Sequence, residues 1–371
     1  MPPASSAPSS LPLTVFDLFW LRFSPSQRLF FYELPPHLGT TAAFSQTVLP
    51  KLRQSLSLTP QTWTLLARNL AWPQSSDKPL IQYSEGDALS LTVAESGADF
   101  HHLSDKSSFR EATEYRSHLP DLPSSHARVP VLALQVTRFP NSVFSVGHSA
   151  HHAVVGGKTL TAFMTAWASI CSSSNSMADQ PLYGRAFLSD DQERAMLSLH
   201  GMRGGEKAQL MFAADCRARL DPPEPSTYFG NSVVGCCATA DVDGLLGEDG
   251  VAMAAKVIGE AIDDLKHADL KAAQDLIFGR ASTPTSLDNV FTIAGSPRFE
   301  FYKVDFGWGR PRKVEVISID RTGVSLFQIP GMAQPLLRLD SLRKKTKLQI
   351  LLLCLLVALK LLQGHRSCIT I

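Results

Sequence analysis

Apolar residues at Phe44, Val48, Leu49, Leu52 and Leu56 recur at the three- and four-residue spacing of one helix face, which predicts a helix over 44–58, ending before Thr59 and Pro60. The same period sets Leu160, Phe163, Met164 and Trp167 on one stripe and predicts a helix over 159–171. Further helices are expected over 63–70 and 251–270, the last stopping as early as His267. Short apolar runs between turn residues read as strands. They cover 29–34, then 80–83 and 89–94 on either side of a turn at Glu85, Gly86 and Asp87. Residues 131–139 and 143–149 form a hairpin about Pro140 and Asn141, and further strands start at Val233 and cover 291–293, 299–304 and 314–319. Segment 13–20 is short and apolar, while polar, His-rich sequence up to Pro130, a polar linker at 172–180 and a charged stretch at 190–206 show no period. Mixed strands and helices place the chain in the α/β class.

At 371 residues the chain can bury a large core, and two domains are expected. A net charge of +1 with scattered basic residues offers no surface that tracks phosphates, so no nucleic-acid partner is expected. The six cysteines have neither metal-ligand spacing nor a disulfide framework, which fits a reducing cytoplasm. The first ten residues lack the basic start and apolar core of a signal peptide and read as a frayed arm. Near the other end, Arg343, Lys344 and Lys345 lead into a leucine-rich stretch whose uninterrupted apolar part, 350–359, falls short of the roughly 18–20 residues of a membrane span. A buried or surface-seeking helix is favoured there over a membrane anchor, and its leucines on all sides leave no clean amphipathic face.

The candidate chemistry lies in the turn after the 143–149 strand. Strand, histidine-bearing turn and helix follow one another, the arrangement in which α/β enzymes present working groups. His151 and His152 cannot both point the same way from such a backbone. His152 is taken as a general base, since a neutral imidazole can take a proton from a hydroxyl or amine, and His151 as a structural hydrogen-bonding residue. Neither a serine nucleophile elbow nor a zinc-protease helix motif is present, so direct transfer to an acceptor without a covalent enzyme intermediate suits a lone histidine base, and no metal is required. Gly156 and Gly157 permit a sharp turn. The loop of Asp305, Phe306, Gly307, Trp308 and Gly309 is expected to order the entrance of a site, with Asp305 held by an arginine or by backbone N–H groups. It lacks the companion loops of a kinase. Arg217 and Arg219, alternate residues of a strand-like segment, would meet phosphates or a carboxylate, or else lie solvated on the surface. Cys236 and Cys237 read as small apolar core residues.

These stretches resemble the plant acyl-CoA-dependent acyltransferases called BAHD, and among them the malonyl- and hydroxycinnamoyl-transferases of anthocyanin, flavonoid and other phenolic glucosides. The pattern His-x-x-x-Asp-Gly falls on 152–157, Asp-Phe-Gly-Trp-Gly is intact at 305–309, and Tyr-Phe-Gly-Asn-Cys appears at 228–232 with Ser232 last. The stretches LTVAESGADFHHL, RARLDPPEPSTYFGN and LLGEDG are also similar to that subgroup, and the match covers roughly 11–325. The resemblance implies an α/β, two-domain chloramphenicol acetyltransferase-like fold. It sets an N-terminal domain at 11–172, a shortened crossover at 173–189, an incomplete second domain at 190–325 carrying the 305–309 loop, and a divergent apolar tail at 326–371. It implies a monomer with no bound cofactor that moves an acyl group from acyl-CoA, malonyl-CoA being favoured, to a sugar hydroxyl of a phenolic glucoside through a channel between the domains. His152 would then be the base, and Trp308 with its loop would support the CoA side. Arg185 would receive the free carboxylate of a malonyl group.

Three departures accompany the resemblance. Gly156 stands where the family has an aspartate that pairs with an arginine and shapes the histidine loop, so restoring an acid there is expected to raise activity. The distance from His152 to Arg217 is several dozen residues short, and similarity stops near Ser325. Three accounts stay open: a working transferase, a catalytically impaired or inactive paralogue, including a truncated splice or gene-model product, and a membrane-associated scaffold, for which only the apolar tail argues.

Overall fold

Eight consecutive buried residues make Val143–Ala150 the middle of a sheet in the computed structural model, because a strand covered on both faces needs no polar alternation. The structure describes residues 10–22, 24–59, 63–73, 79–106, 110–122, 128–141, 143–172, 207–217, 223–225, 227–246, 249–267, 290–293, 299–317, 325–328 and 336–337. The chain divides into two units, Met1–Arg185 with Thr227–Asn231 and Phe299–Arg321, and Ala186–Ser226 with Ser232–Arg298 and Thr322–Ile371. Segment Phe299–Arg321, which sequence order assigned to the second domain, thus belongs by its packing to the first unit.

In the first unit a five-stranded sheet runs in the order Lys313–Val316, Ser26–Glu33, Val143–Ala150, Leu132–Phe139, Ser90–Glu95. The pairs are antiparallel except the last, which is parallel. The expected hairpin forms with Phe139 opposite Val143, and Asn141 takes the left-handed φ of 65° that its turn demands. Phe30, Tyr32, Phe144, Val146 and Ala150 face one large core with Leu160, Phe163, Met164 and Trp167 of helix Gly157–Ser172. Leu29, Phe31, Phe139 and Val143 face a smaller one with Phe100 and Tyr115. Gly147 is required where the second face closes: a Cβ there would lie 2.5 Å from the His118 backbone oxygen. The Trp167 indole donates to the Leu52 carbonyl and Ser55 hydroxyl, 3.2 and 3.1 Å away, and so ties Gly157–Ser172 to helix Leu49–Leu58.

Several elements differ from expectation for local reasons. The 44–58 helix opens with a wide turn over Phe44–Val48, because Pro50 has no N–H to donate to the preceding turn. In place of a helix over 63–70, a single turn Thr64–Ala67 gives way to strand Asn69–Ala71, which pairs with Leu80–Gln82 and Arg128–Pro130. Leu80–Gln82 and Ser90–Glu95 flank one turn yet join different sheets. The His-rich link holds the short helices Phe100–Ser104 and Ala112–Tyr115. The 299–304 strand is instead a turn, Phe301–Lys303, that sends the Phe299 and Phe301 rings to one core.

In the second unit Lys207–Asp215, which the sequence pattern did not signal, pairs antiparallel with Val233–Asp241 over nine residues and parallel with Val290–Ile293. Helix Gly250–His267 buries Ala254, Ile258, Ala261 and Ile262 on one face, and 268–270 lie outside the described residues. The 173–189 crossover and the 350–359 run lie outside the described residues. Among the described residues no helix is long and apolar enough to cross a membrane.

Candidate active site around His152

His151 and His152 follow directly on the last residue of Val143–Ala150 and precede helix Gly157–Ser172. The turn is closed by its own backbone: the His151 N–H donates to the Val131 carbonyl at 2.9 Å, and the Val154 and Val155 N–H groups donate to the His151 carbonyl. Gly157 starts the helix because the Phe299 ring occupies the place of a side chain, 2.6 Å from where a Cβ would stand. The His152 ring lies flat against Trp20, with centroids 3.9 Å apart and planes 14° apart. Burial is the main cause that pushes its pKa down to about 4; the charges of His151 and Arg28 lower it further, while its own backbone works the other way. The imidazole is therefore neutral at pH 7 and able to accept a proton. Burial also lowers the pKa of His151, and Nδ1 of each ring is buried without a hydrogen-bond partner among the described residues.

Asn231 braces the His152 turn from behind. Its side-chain N–H group donates to the His152 carbonyl at 2.9 Å and to an Asp17 carboxylate oxygen at 3.1 Å. The other Asp17 oxygen accepts from the Thr14 N–H and hydroxyl at 2.9 and 2.8 Å. Thr14 and Asp17 stand at the start of Val15–Leu18 with the three-residue spacing of a capping box. A Cβ at Gly156 would lie 2.8 Å from the Asn231 Oδ1, so a side chain there requires the Asn231 amide to shift. Three distant stretches thus meet behind the His152 turn. The threonine-to-acid spacing at 14–17 was a signal within the sequence; Asn231 was legible only as part of its motif, and Trp20 carried no signal.

The 305–309 loop is held by itself. One Asp305 carboxylate oxygen accepts from the N–H groups of Gly307 and Gly309 at 2.8 and 2.9 Å, and φ values of 96° and 111° at those positions call for glycine. Of the two expected holders of Asp305, the backbone is the one found. Phe306 is fully buried between Tyr32 and Trp167, while Trp308 packs edge-on to Phe144 with the Lys51 ammonium 5.4 Å over its ring. Among the described contacts none joins this loop to His152.

Arg217 is buried in the second unit, where it pairs with Asp215 at 3.0 Å. Arg185 and Arg219 lie outside the described residues. Cys236 is buried and Cys237 half-buried, both as free thiols. No cluster of metal-ligating side chains occurs among the described residues. Arg28, absent from the sequence expectations, is 6% exposed, stands opposite His148 in the sheet register and sits 3.5 Å above the Phe301 ring.

The model of the Transferase family matches residues 1–203 and 194–335. Phenolic glucoside malonyltransferase 2 of Arabidopsis thaliana is 34% identical over 389 residues, with 84% of this chain and 85% of the relative covered. That alignment is longer than the chain, so the relative has residues with no counterpart here. A malonyl-CoA:anthocyanidin 5-O-glucoside-6''-O-malonyltransferase of the same plant is 32% identical over 411 residues, covering 88% and 89%. Among solved structures, vinorine synthase aligns with a TM-score of 0.63 at 16% identity over 90% of each chain. TRI101 of F. sporotrichioides with coenzyme A and T-2 gives 0.55 at 15%, over 83% and 87%. The chain has their two-domain, chloramphenicol acetyltransferase-like α/β fold.

Proposed function

We propose that this chain, which belongs to the BAHD acyl-CoA-dependent acyltransferases of the Transferase family, moves a malonyl group from malonyl-CoA to a sugar hydroxyl of a phenolic glucoside, with His152 as general base. The observation that carries this reading is the state of His152: neutral, stacked on Trp20 and held through its carbonyl by Asn231. An unprotonated ring nitrogen takes the proton of the acceptor hydroxyl as its oxygen attacks the thioester carbonyl carbon. The tetrahedral intermediate then expels the CoA sulfur, which takes the proton back from the imidazolium. An ester and free CoA thiol result, and no covalent bond to the enzyme forms. The 305–309 loop braces the first unit's core and does not take part in the proton transfer. Malonyl is the donor chosen because both named plant relatives are malonyltransferases; a hydroxycinnamoyl donor is the alternative.

The enzyme is proposed to act as a cytoplasmic monomer on these two small molecules, with Cys171, Cys216, Cys236 and Cys237 as free thiols. A second reading, binding without turnover, draws on the residues that the alignment leaves without a counterpart. Incubation with malonyl-CoA or p-coumaroyl-CoA and a panel of phenolic and anthocyanin glucosides, read by product mass, separates them. A malonylated glucoside from wild type, with a loss of at least about 100-fold in His152→Ala, is expected. Folded wild-type protein that binds CoA and yields no acylated product would favour the second reading.

A further inference from the structure

One face of the His152 ring is covered by a π system, and that cover comes from the same short stretch that secures the backbone of the turn. Trp20 lies on the turn Phe19–Arg22, which follows directly on Val15–Leu18. Asp17 and Trp20 are three residues apart, the spacing that brings side chains to one face of successive helical turns. From there Asp17 holds Asn231, which donates to the His152 carbonyl at 2.9 Å. Trp20 lies on the ring itself, with centroids 3.9 Å apart and planes 14° apart. Two neighbouring residues thus set the backbone of the base and the tilt of its ring.

A general base becomes a cation when it takes the proton of the acceptor hydroxyl, and here the cation forms where it is disfavoured. Burial opposes it, and so do the charges of His151 and Arg28. In a Ser-His-Asp triad a carboxylate behind the ring offsets this cost. The Nδ1 of His152 is buried with no hydrogen-bond partner among the described residues, so no acid among them fills that place. What lies against the ring is an indole, the aromatic face that attracts cations most strongly, well within the roughly 6 Å over which such attraction acts. We propose that Trp20 is a positioning residue of the reaction, whose π face stabilises the His152 imidazolium formed as the acceptor oxygen attacks the thioester carbonyl. The proton comes from the sugar hydroxyl and leaves with the CoA sulfur, so the ring is charged only between those two transfers. The neutral resting base gains little from the contact, and the stabilisation therefore acts on the rate of transfer and not on binding of malonyl-CoA. This role rests on His152 being the general base proposed above.

Fluorination of the indole tests this, because fluorine draws electrons from the ring face and leaves its size nearly unchanged. Wild type and Trp20→Phe are prepared with tryptophan, monofluorotryptophan or trifluorotryptophan, and the single-turnover rate of malonyl transfer to one glucoside is measured in each. In wild type the rate is expected to fall with increasing fluorination, by about 10-fold in the trifluoro protein, with the malonyl-CoA concentration for half-maximal rate unchanged. In Trp20→Phe, where the remaining tryptophans are fluorinated alike, no change is expected. The acid limb of kcat/KM gives a second reading. Fluorination should move it to lower pH, since the protonated ring loses part of its π partner, whereas a cover that merely excludes water would leave it in place. Equal rates throughout, or the same fall in both backgrounds, overturn the role of Trp20. A folded wild type that transfers no acyl group overturns the transferase reading, and His152→Ala with the wild-type rate overturns the base on which the role depends. Should Trp20→Phe fail to fold, the acid limb of fluorinated wild type decides, and a limb that stays in place overturns the proposal.

Discussion

His152 owes its neutrality to burial, and the sign of its pH dependence follows. A base works unprotonated, and with a pKa pushed down to about 4 the ring stays unprotonated well below neutral pH. The kcat/KM of the free enzyme should therefore hold level from pH 8 to about 5 and fall only towards pH 4. Trp20→Leu readmits water to one ring face, so its acid limb should shift up towards the ordinary value of about 6.5. A limb near 6.5 in wild type would contradict the burial argument. Gly156 carries a second prediction, opposite to the one drawn from the family pattern. Because a Cβ there stands 2.8 Å from the Asn231 oxygen, Gly156→Asp should push Asn231 off the His152 carbonyl and lower kcat/KM instead of raising it. The change should be at least about 10-fold, since a displacement near 1 Å at a catalytic group can cost about 100-fold. A rise in kcat/KM would show that the acid and the amide can share the space.

Elements whose order comes from local pattern were readable in the sequence. The hairpin Leu132–Phe139 to Val143–Ala150 and helix Gly157–Ser172 appeared there as apolar runs and a 3.6-residue stripe, and with them the turn bearing His152. Elements decided by a distant partner were not. Asn69–Ala71 is a strand because Leu70 meets Ile81 and Val129 on either side, and a window over 63–70 sees only a helix-like spacing. Lys207–Asp215 carries polar Lys207 and Gln209 among small alanines and needs Val233–Asp241 to define it. Close approach is the other hidden term. Gly147 reads as a weak spot in a strand, yet His118 leaves no room for more. Gly147→Ala should destabilise the first unit by about 1–3 kcal/mol in denaturant unfolding, the usual cost of overfilling a packed core. Unfolding at the wild-type midpoint would mean that the Arg116–His118 turn moves aside without cost.

Across the whole molecule, the candidate site is assembled from segments that the chain keeps far apart. Asp17, Trp20, Arg28, His152, Asn231 and Phe301 belong to one unit although the sequence separating them builds much of the other. The sequence revealed the base because its motif is local, and concealed the residues that hold it, because their partners are up to 214 positions away. Within that assembly Asn231 reaches across from its own segment to the His152 carbonyl and is itself secured by Asp17. Steady-state turnover of malonyl-CoA and glucoside by Asn231→Ala, beside wild type and with Tm recorded for both, tests this most directly. The account predicts a folded variant whose kcat falls by about 100-fold with KM for malonyl-CoA little changed, because the base is misplaced while the donor still binds. A folded Asn231→Ala with wild-type kcat would contradict it.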